Sequence, residues 1–216
     1  MAKVPNNDSE LDAALRSRLD ALIDEGGEIY DRFDREVRER NWHPFIPADY
    51  ARVLQALIAL RAPGLKFLEW GSATGVISIM ADLLGFDAYG IELDSGLVAT
   101  ARRLAARYDS RARFAVGSFV PADYRWKPKT GDARFGTIGY GASAYAELGH
   151  GLDDFDLVYA YPWTGEEPMM LDLMRCYGGS SSRLLLNGDD GVRVYSGCRL
   201  ETPTSPTSPT SPTSPA

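Results

Sequence analysis

Glu69, Gly71, Ala73 and Gly75 place an acid and then three small residues at every second position, and a further acid, Glu92, follows about twenty residues later. That spacing suits a cradle for a nucleotide-like ligand. Glycine lets the backbone come close to a ligand where any Cβ would intrude. A helix opening at about Thr74 points its amide dipoles at the ligand's carboxylate or ribose. Glu92, at a strand end, has the acceptor oxygens to hold two ribose hydroxyls, as an acid does in dinucleotide-binding folds; its bland alternative is a surface acid. Glu69 reads two ways. An acid ending a buried strand is costly unless paired, so it either positions a ligand ammonium group or takes a structural hydrogen bond from nearby backbone amides. The stretch "GSATGV" puts Val76 where a dinucleotide GxGxxG turn needs its third glycine.

A second set of residues lies further on, in "AYPWTGEE". Tyr161 and Trp163 there offer an aromatic wall for a substrate or a departing group, or else pack a strand end under a loop. Glu147, His150, Glu166 and Glu167 are the neighbouring acid–base candidates. His150 has the intrinsic pKa to accept a proton near neutrality, although a lone loop histidine is usually just solvated. The two cysteines, Cys176 and Cys198, and the two histidines, His43 and His150, show no metal-ligand spacing, so no metal is expected.

The elements that must position these groups follow from the hydrophobic pattern. Strands are predicted at 66–70, 88–93, 112–116, 155–161 and 183–187, with a short one at 192–195. Helices are predicted at about 74–84, 95–108 and 166–177, with Asp94 as the cap of the second. The alternation implies a mostly parallel sheet covered on both faces, a doubly wound α/β fold. Before it, Leu11, Leu15, Leu19, Leu22 and Ile23 form one helical stripe, with Ser9 as a cap and Asp12 in a capping-box-like position. Gly26-Gly27 is expected to break that helix before a second stripe of Ile29, Phe33 and Val37. A further helix is expected from about Ala48 to Arg61, ended by Pro63-Gly64. The expected organisation is an N-terminal helical segment (1–43), a ligand-binding domain (44–200) with a glycine-rich insertion at 121–152, and a disordered Pro/Thr/Ser-rich tail (201–216). The loop "GTIGYGASAYAELGHG" is expected to shape the substrate pocket.

The motif "LEWGSATG" resembles motif I of the class I S-adenosylmethionine-dependent methyltransferases, with Ala73 in place of the usual middle glycine. "AYGIELD", "FAVGSF" and "FDLVYAYPW" resemble the motifs that follow it, in the same order. The resemblance implies a Rossmann-like methyltransferase sheet and S-adenosylmethionine as cofactor. It implies cofactor contacts from Glu69, Gly71, Ala73, Gly75 and Glu92, with Ser118 and Phe119 at the adenine edge and face; Phe119 as simple core is the competing reading. "FIPADYARVL" resembles the lid-like stretch before motif I in protein-lysine and ribosomal-protein types. Tyr50 is then a lid aromatic over the sulfonium, or else the first apolar anchor of its helix. The family's Asn or Asp after strand four is Ala160 here, so base or glutamine methylation is not carried over. The usual helix and strand pair after strand five are reduced to "GDDGVRVYSGCRL", which leaves either a single returning strand or an edge covered by another chain, making a homo-oligomer an expectation.

A formal net charge of −7 argues against general nucleic-acid binding, so a small molecule or a protein is the expected acceptor. The amino terminus lacks the apolar core of a signal peptide and no apolar run is long enough to span a bilayer, so the chain is expected to be cytoplasmic with no membrane partner. The reading is a methyltransferase. Its alternatives are a non-catalytic, regulatory cofactor-binding protein and, less well matched, an NAD-dependent oxidoreductase.

Overall fold

The computed structural model describes residues 11–38, 45–125, 141–197 and 199–201. Ser9, His43, Cys198, the middle of the 121–152 insertion and the tail from 202 lie outside the described residues.

Among the described residues seven strands form one sheet: β1 (Lys66–Trp70), β2 (Asp87–Glu92), β3 (Arg113–Val116), β4 (Leu157–Ala160), β5 (Arg183–Gly188), β6 (Gly191–Ser196) and β7 (Arg199–Leu200). Their order across the sheet is β3-β2-β1-β4-β5-β6-β7. The first five are parallel; β6 pairs antiparallel to β5, and β7 antiparallel to β6. The chain winds outward from β1 to β3 and then crosses back to β4, so the strand order reverses between β1 and β4. Ligands in open parallel sheets bind beyond the carboxyl ends of the strands at such a reversal. β6 returns along β5 through a tight turn at Asp189-Asp190 that pairs Gly188 with Gly191, but it is not the single returning strand expected, because the two-residue β7 pairs with it in turn.

Helices α1 (Ala13–Phe33), α2 (Tyr50–Leu60), α3 (Val76–Leu83) and α4 (Ser95–Arg107) pack on one face. There Leu19, Leu22, Leu57, Ile79 and Leu104 bury completely against Phe67, Leu157 and Leu185. The short α5 (Tyr145–Leu148) and α6 (Glu167–Tyr177) cover the other face, where Met170 and Leu173 meet Leu68, Val158 and Leu184. Alternation along β1 divides the two layers: Phe67 joins the first cluster, Leu68 and Trp70 the second.

Gly26-Gly27 does not break the first helix. α1 runs through both glycines and ends in a π-helical turn, Asp34–Arg38. The reason is packing: a Cβ on Gly26 would lie 2.7 Å from Val76 Cγ2 and 3.4 Å from the Tyr50 ring. Glycine lets α1 lie close against the start of α3. The helix cap is Asp12, whose side chain accepts from the Ala14 N–H at 2.7 Å. α2 begins at Tyr50, capped by Asp49, and α4 at Ser95, where Asp94 accepts from Gly96 and Leu97 as expected.

Candidate functional site

The turn after β1 holds three consecutive alternate residues in the left-handed region: Gly71 (φ 69°), Ala73 (φ 44°) and Gly75 (φ 78°). Glycine adopts that conformation freely, whereas alanine is strained in it. The N–H groups of Gly71 and Ser72 both donate to the Ile91 carbonyl at 2.9 Å, hinging the turn on β2. The Ala73 N–H donates to Glu92 Oε2 at 2.9 Å, and the Asp94 N–H donates to Oε1 at 3.0 Å. Both carboxylate oxygens are thus anchored while each keeps further acceptor capacity. Burial raises the Glu92 carboxyl above its ordinary value, and the amide bonds work in the opposite direction.

Gly75 serves the packing of this turn. Its added Cβ would lie 2.7 Å from the Phe114 ring and 2.8 Å from Ala101 Cβ. Gly90 does the same from below, since a Cβ there would meet Ser72 and Phe114 at 2.7–2.8 Å.

Beyond the strand ends lies a cleft of about 320 Å³. Gly71, Ala73 and Glu92 line one wall, with Leu97 and Phe119 beside them; Phe45, Ile46, Tyr161 and Trp163 face from the other elements. Phe119 is core, 3% exposed and stacked on Trp70 with ring centroids 4.9 Å apart, and it also lines the cleft. Ser118 is buried and lies away from the lining. Its hydroxyl accepts from Val120 N–H, and its backbone bonds to Ala142 and Ala144.

A second hollow, about 40 Å³, opens beneath the turn between α2, β1 and β4. Glu69 lines it, 4% exposed, with Oε2 accepting from both the N–H (2.9 Å) and the hydroxyl (2.6 Å) of Ser78. The structural reading of Glu69 is therefore realised, and burial pushes its carboxyl up to about 8. Tyr50 lines the same hollow. It is the first residue of α2, and burial raises its hydroxyl above the ordinary range. Ser72, Thr74, Tyr159 and Tyr161 bring further hydroxyls to the lining, and two of these lack a partner. The Ser72 and Tyr159 hydroxyl oxygens are the buried side-chain polar atoms without a hydrogen-bond partner among the described residues.

The acid–base candidates mostly fall elsewhere. His150 is not at the cleft: its Nε2 lies 2.9 Å from Tyr89 Oη and its Nδ1 3.4 Å from Asp154, with Phe155 against the ring. Tyr89 sits mid-strand in β2, well before the carboxyl end, which carries His150 out of reach. Glu147 pairs with Arg102 at 3.2 Å. Glu167 pairs with Arg193 at 2.7 Å and accepts from Tyr195, and these bonds outweigh burial to lower its carboxyl. Glu166 is buried and accepts from the Trp163 N–H at 2.9 Å, holding the segment that presents Trp163. The described part of the glycine-rich loop, residues 141–152, packs on the second face and does not line the cleft. Tyr145 there accepts from Trp70 Nε1 at 3.0 Å.

Phe45, Ile46, Leu97, Asp189, Ser72 and Tyr159 line these cavities without having been singled out in the sequence. Ser72 alone carried a signal, being inside the motif. Tyr159 reads as an ordinary strand aromatic, and Asp189 reaches the cleft only through the β5–β6 turn.

Compared with models of known protein families, the chain matches none. A stretch of 69 residues is 38% identical to the ribosomal protein L11 methyltransferase of Thermus thermophilus. That match covers 32% of this chain and 27% of that protein, so the chain spans about a quarter of the curated relative. Among solved structures, an RNA methyltransferase from Salinibacter ruber in complex with S-adenosyl-L-homocysteine is 16% identical, with a TM-score of 0.48 over 65% of this chain and 76% of that one. A methyltransferase from Thiobacillus denitrificans, also in complex with S-adenosyl-L-homocysteine, is 18% identical, with a TM-score of 0.42 over 73% and 54%. The chain's own strand order and directions make it a doubly wound, Rossmann-like α/β fold.

Proposed function

We propose that the chain is a class I S-adenosylmethionine-dependent methyltransferase. The observation that carries this is the joint between the turn and Glu92. The Ala73 N–H at 2.9 Å fixes the carboxylate beside a 320 Å³ cleft that Glu92 lines together with Gly71. That volume falls within the range of about 300–1,000 Å³ typical of small-molecule sites.

The residues present fit the cofactor's three parts. Glu92 offers acceptors for the two ribose hydroxyls, and Phe119 and Leu97 offer apolar surface for the adenine. The hollow beside Glu69, with two unpartnered hydroxyls, offers polar groups for the amino-acid end. When bound, S-adenosylmethionine supplies an electrophilic methyl group on a sulfonium. The protein's part is to orient and to exclude water. Tyr161 and Trp163, with Phe45 and Ile46, supply aromatic and apolar lining against which an acceptor could pack.

The acceptor is proposed to be a small molecule or a protein side chain. The aromatic and apolar wall, together with the chain's net charge of −7, supports this over a polyanion. A homo-oligomer is a further proposal, motivated by Leu200, which is 53% exposed on edge strand β7; light scattering decides it.

A second reading is a cofactor-binding protein without transfer. It is favoured by the placement of His150, Glu147 and Glu167 away from the cleft. Incubation with radiolabelled S-adenosylmethionine and fractionated acceptor pools separates the two. Release of S-adenosylhomocysteine supports the transferase. Saturable binding with no turnover on any pool supports the second reading, and binding of NADH in place of S-adenosylmethionine defeats both.

A further inference from the structure

Strand order sets out the lining of the larger cleft in a row. Along β2-β1-β4-β5 the parallel strands end at Glu92, before Gly71, before Tyr161 and Trp163, and before Asp189. Neighbouring strands lie about 4.8 Å apart, so the end of β5 stands about 14 Å from the end of β2. Asp189 is thus at the opposite end of the cleft from Glu92, with the aromatic pair between them. The charged lining residues are Glu92, Asp94 and Asp189, all acids. Two of them already have bonds to make: Glu92 accepts from the Ala73 and Asp94 N–H groups, and Asp94 caps α4 through Gly96 and Leu97. Asp189 is different. Its backbone carbonyl accepts from Arg52 Nη1 at 3.1 Å, which ties the β5–β6 turn to α2, while that guanidinium pairs with Asp49 at 3.0 Å. No described residue donates to the Asp189 carboxylate, and the residue is exposed.

We propose that the methyl acceptor is a primary or secondary amine that arrives as its ammonium, and that Asp189 is the specificity-determining residue that selects it. This rests on the reading of the cleft as an S-adenosylmethionine site. A cation is attracted both by a carboxylate and by the faces of aromatic rings, and the far end of the cleft lines up Asp189 with Tyr161 and Trp163. An acceptor bearing phosphate or carboxylate meets no Lys, Arg or His among the lining residues and is repelled by the acids. The ammonium gives one proton to solvent water. The lone pair of the neutral amine then forms the N–C bond as the S–C bond breaks. The product leaves as an N-methylammonium, and the sulfonium becomes the uncharged thioether of S-adenosylhomocysteine. Asp189 binds the acceptor in this scheme and takes no proton. The same chemistry serves an amine on a protein and an amine on a small molecule.

The test uses the full chain, methyl-tritiated S-adenosylmethionine and a cell extract dialysed into a protein half and a small-molecule half. Part of each half is acetylated at its amines. Label is expected in one untreated half, which tells protein from small molecule, and acetylation is expected to abolish it. Asp189→Asn is expected to raise the apparent KM for that half by about threefold to tenfold, with kcat unchanged, because the carboxylate holds the ammonium equally before and during transfer. Asp189→Lys should raise it more than about tenfold. The gap between wild type and Asp189→Asn should narrow in high salt. Asp190, next in the turn, does not line the cleft, so Asp190→Asn serves as the control and should match wild type. Calorimetry should give all four proteins the same S-adenosylmethionine affinity, which also shows that the variants fold. Equal labelling of the acetylated halves overturns the inference, as does an unchanged KM in both Asp189 variants. Binding of S-adenosylmethionine with no label in either half overturns it as well. If wild type does not bind S-adenosylmethionine at all, the functional reading itself falls, and the inference with it.

Discussion

At the scale of single residues, the turn after β1 carries a cost that can be measured. Ala73 sits at φ 44°, where an L-residue is disfavoured by about 1–2 kcal/mol. Glycine relieves that strain but loses about 0.4–1 kcal/mol through the entropy of the unfolded chain. Ala73→Gly is therefore expected to stabilise the protein by about 0.5–1 kcal/mol in urea unfolding. A destabilised variant would show that the alanine methyl has a packing role. Glu69 gives a second residue-scale prediction. Its carboxyl has an ordinary value of 4.5 and is pushed up to about 8 by burial. A group raised on folding favours the fold most below its unfolded value, and that contribution disappears as pH climbs through the folded value. Wild type should lose stability relative to Glu69→Gln between about pH 5 and pH 8. A difference between the two that stays constant across that range would mean the carboxyl is not buried as described.

At the scale of elements, the start of α3 is where ligand geometry and core packing meet. Val76 follows the turn directly, and Gly26 of α1 leaves room for its side chain. Gly26→Ala gains about 0.5–1 kcal/mol of helix propensity but forces a contact that costs about 1–3 kcal/mol. The expected net effect is a destabilisation of about 1 kcal/mol, read in thermal or urea unfolding, with weakened ligand binding because the turn shifts with Val76. A stabilised variant would mean that α1 can move away freely. This position also shows where sequence reading runs short. Two adjacent glycines look like a helix stop, because local propensity carries no record of the partner helix that makes glycine necessary. β1, whose span was read to the residue, and Asp94 as a cap were legible because alternation and capping are local. Tyr159 was not legible, since its meaning depends on a hollow built from three separate elements. His150 was misleading because its intrinsic pKa says nothing about which end of the sheet it reaches.

At the scale of the whole molecule, the sheet divides the chain's tasks. The first face carries four helices and the small hollow; the second is sealed by α5, α6 and the described end of the long loop. β1 and β4 lie in the middle of the sheet, buried from both sides, and β7 has only two residues at the edge. Amide exchange should therefore be slowest in β1 and β4 and fast in β7. Ligand is expected to slow exchange further in the turn at 71–75, and fast exchange in β1 would contradict the topology. Among the described residues no helix is long and apolar enough to cross a membrane. The collinear motifs made the fold class readable because each strand end contributes to one cleft. The acceptor was not readable, because the walls that would select it come from Phe45, Trp163 and the β5–β6 turn, which are distant in sequence.

The central claim is that the carboxylate closing β2 holds the cofactor's ribose against the turn that follows β1. Calorimetric titration of S-adenosylmethionine into wild type and Glu92→Ala tests it most directly, with a melting curve confirming that the variant folds. Two charge-assisted hydrogen bonds, each worth about 1.5–3 kcal/mol, correspond to at least a hundredfold change in affinity. Saturable one-to-one binding by wild type, with a loss of that size in a folded Glu92→Ala, is the predicted result. Absence of binding by wild type, or the same affinity in both proteins, would contradict it.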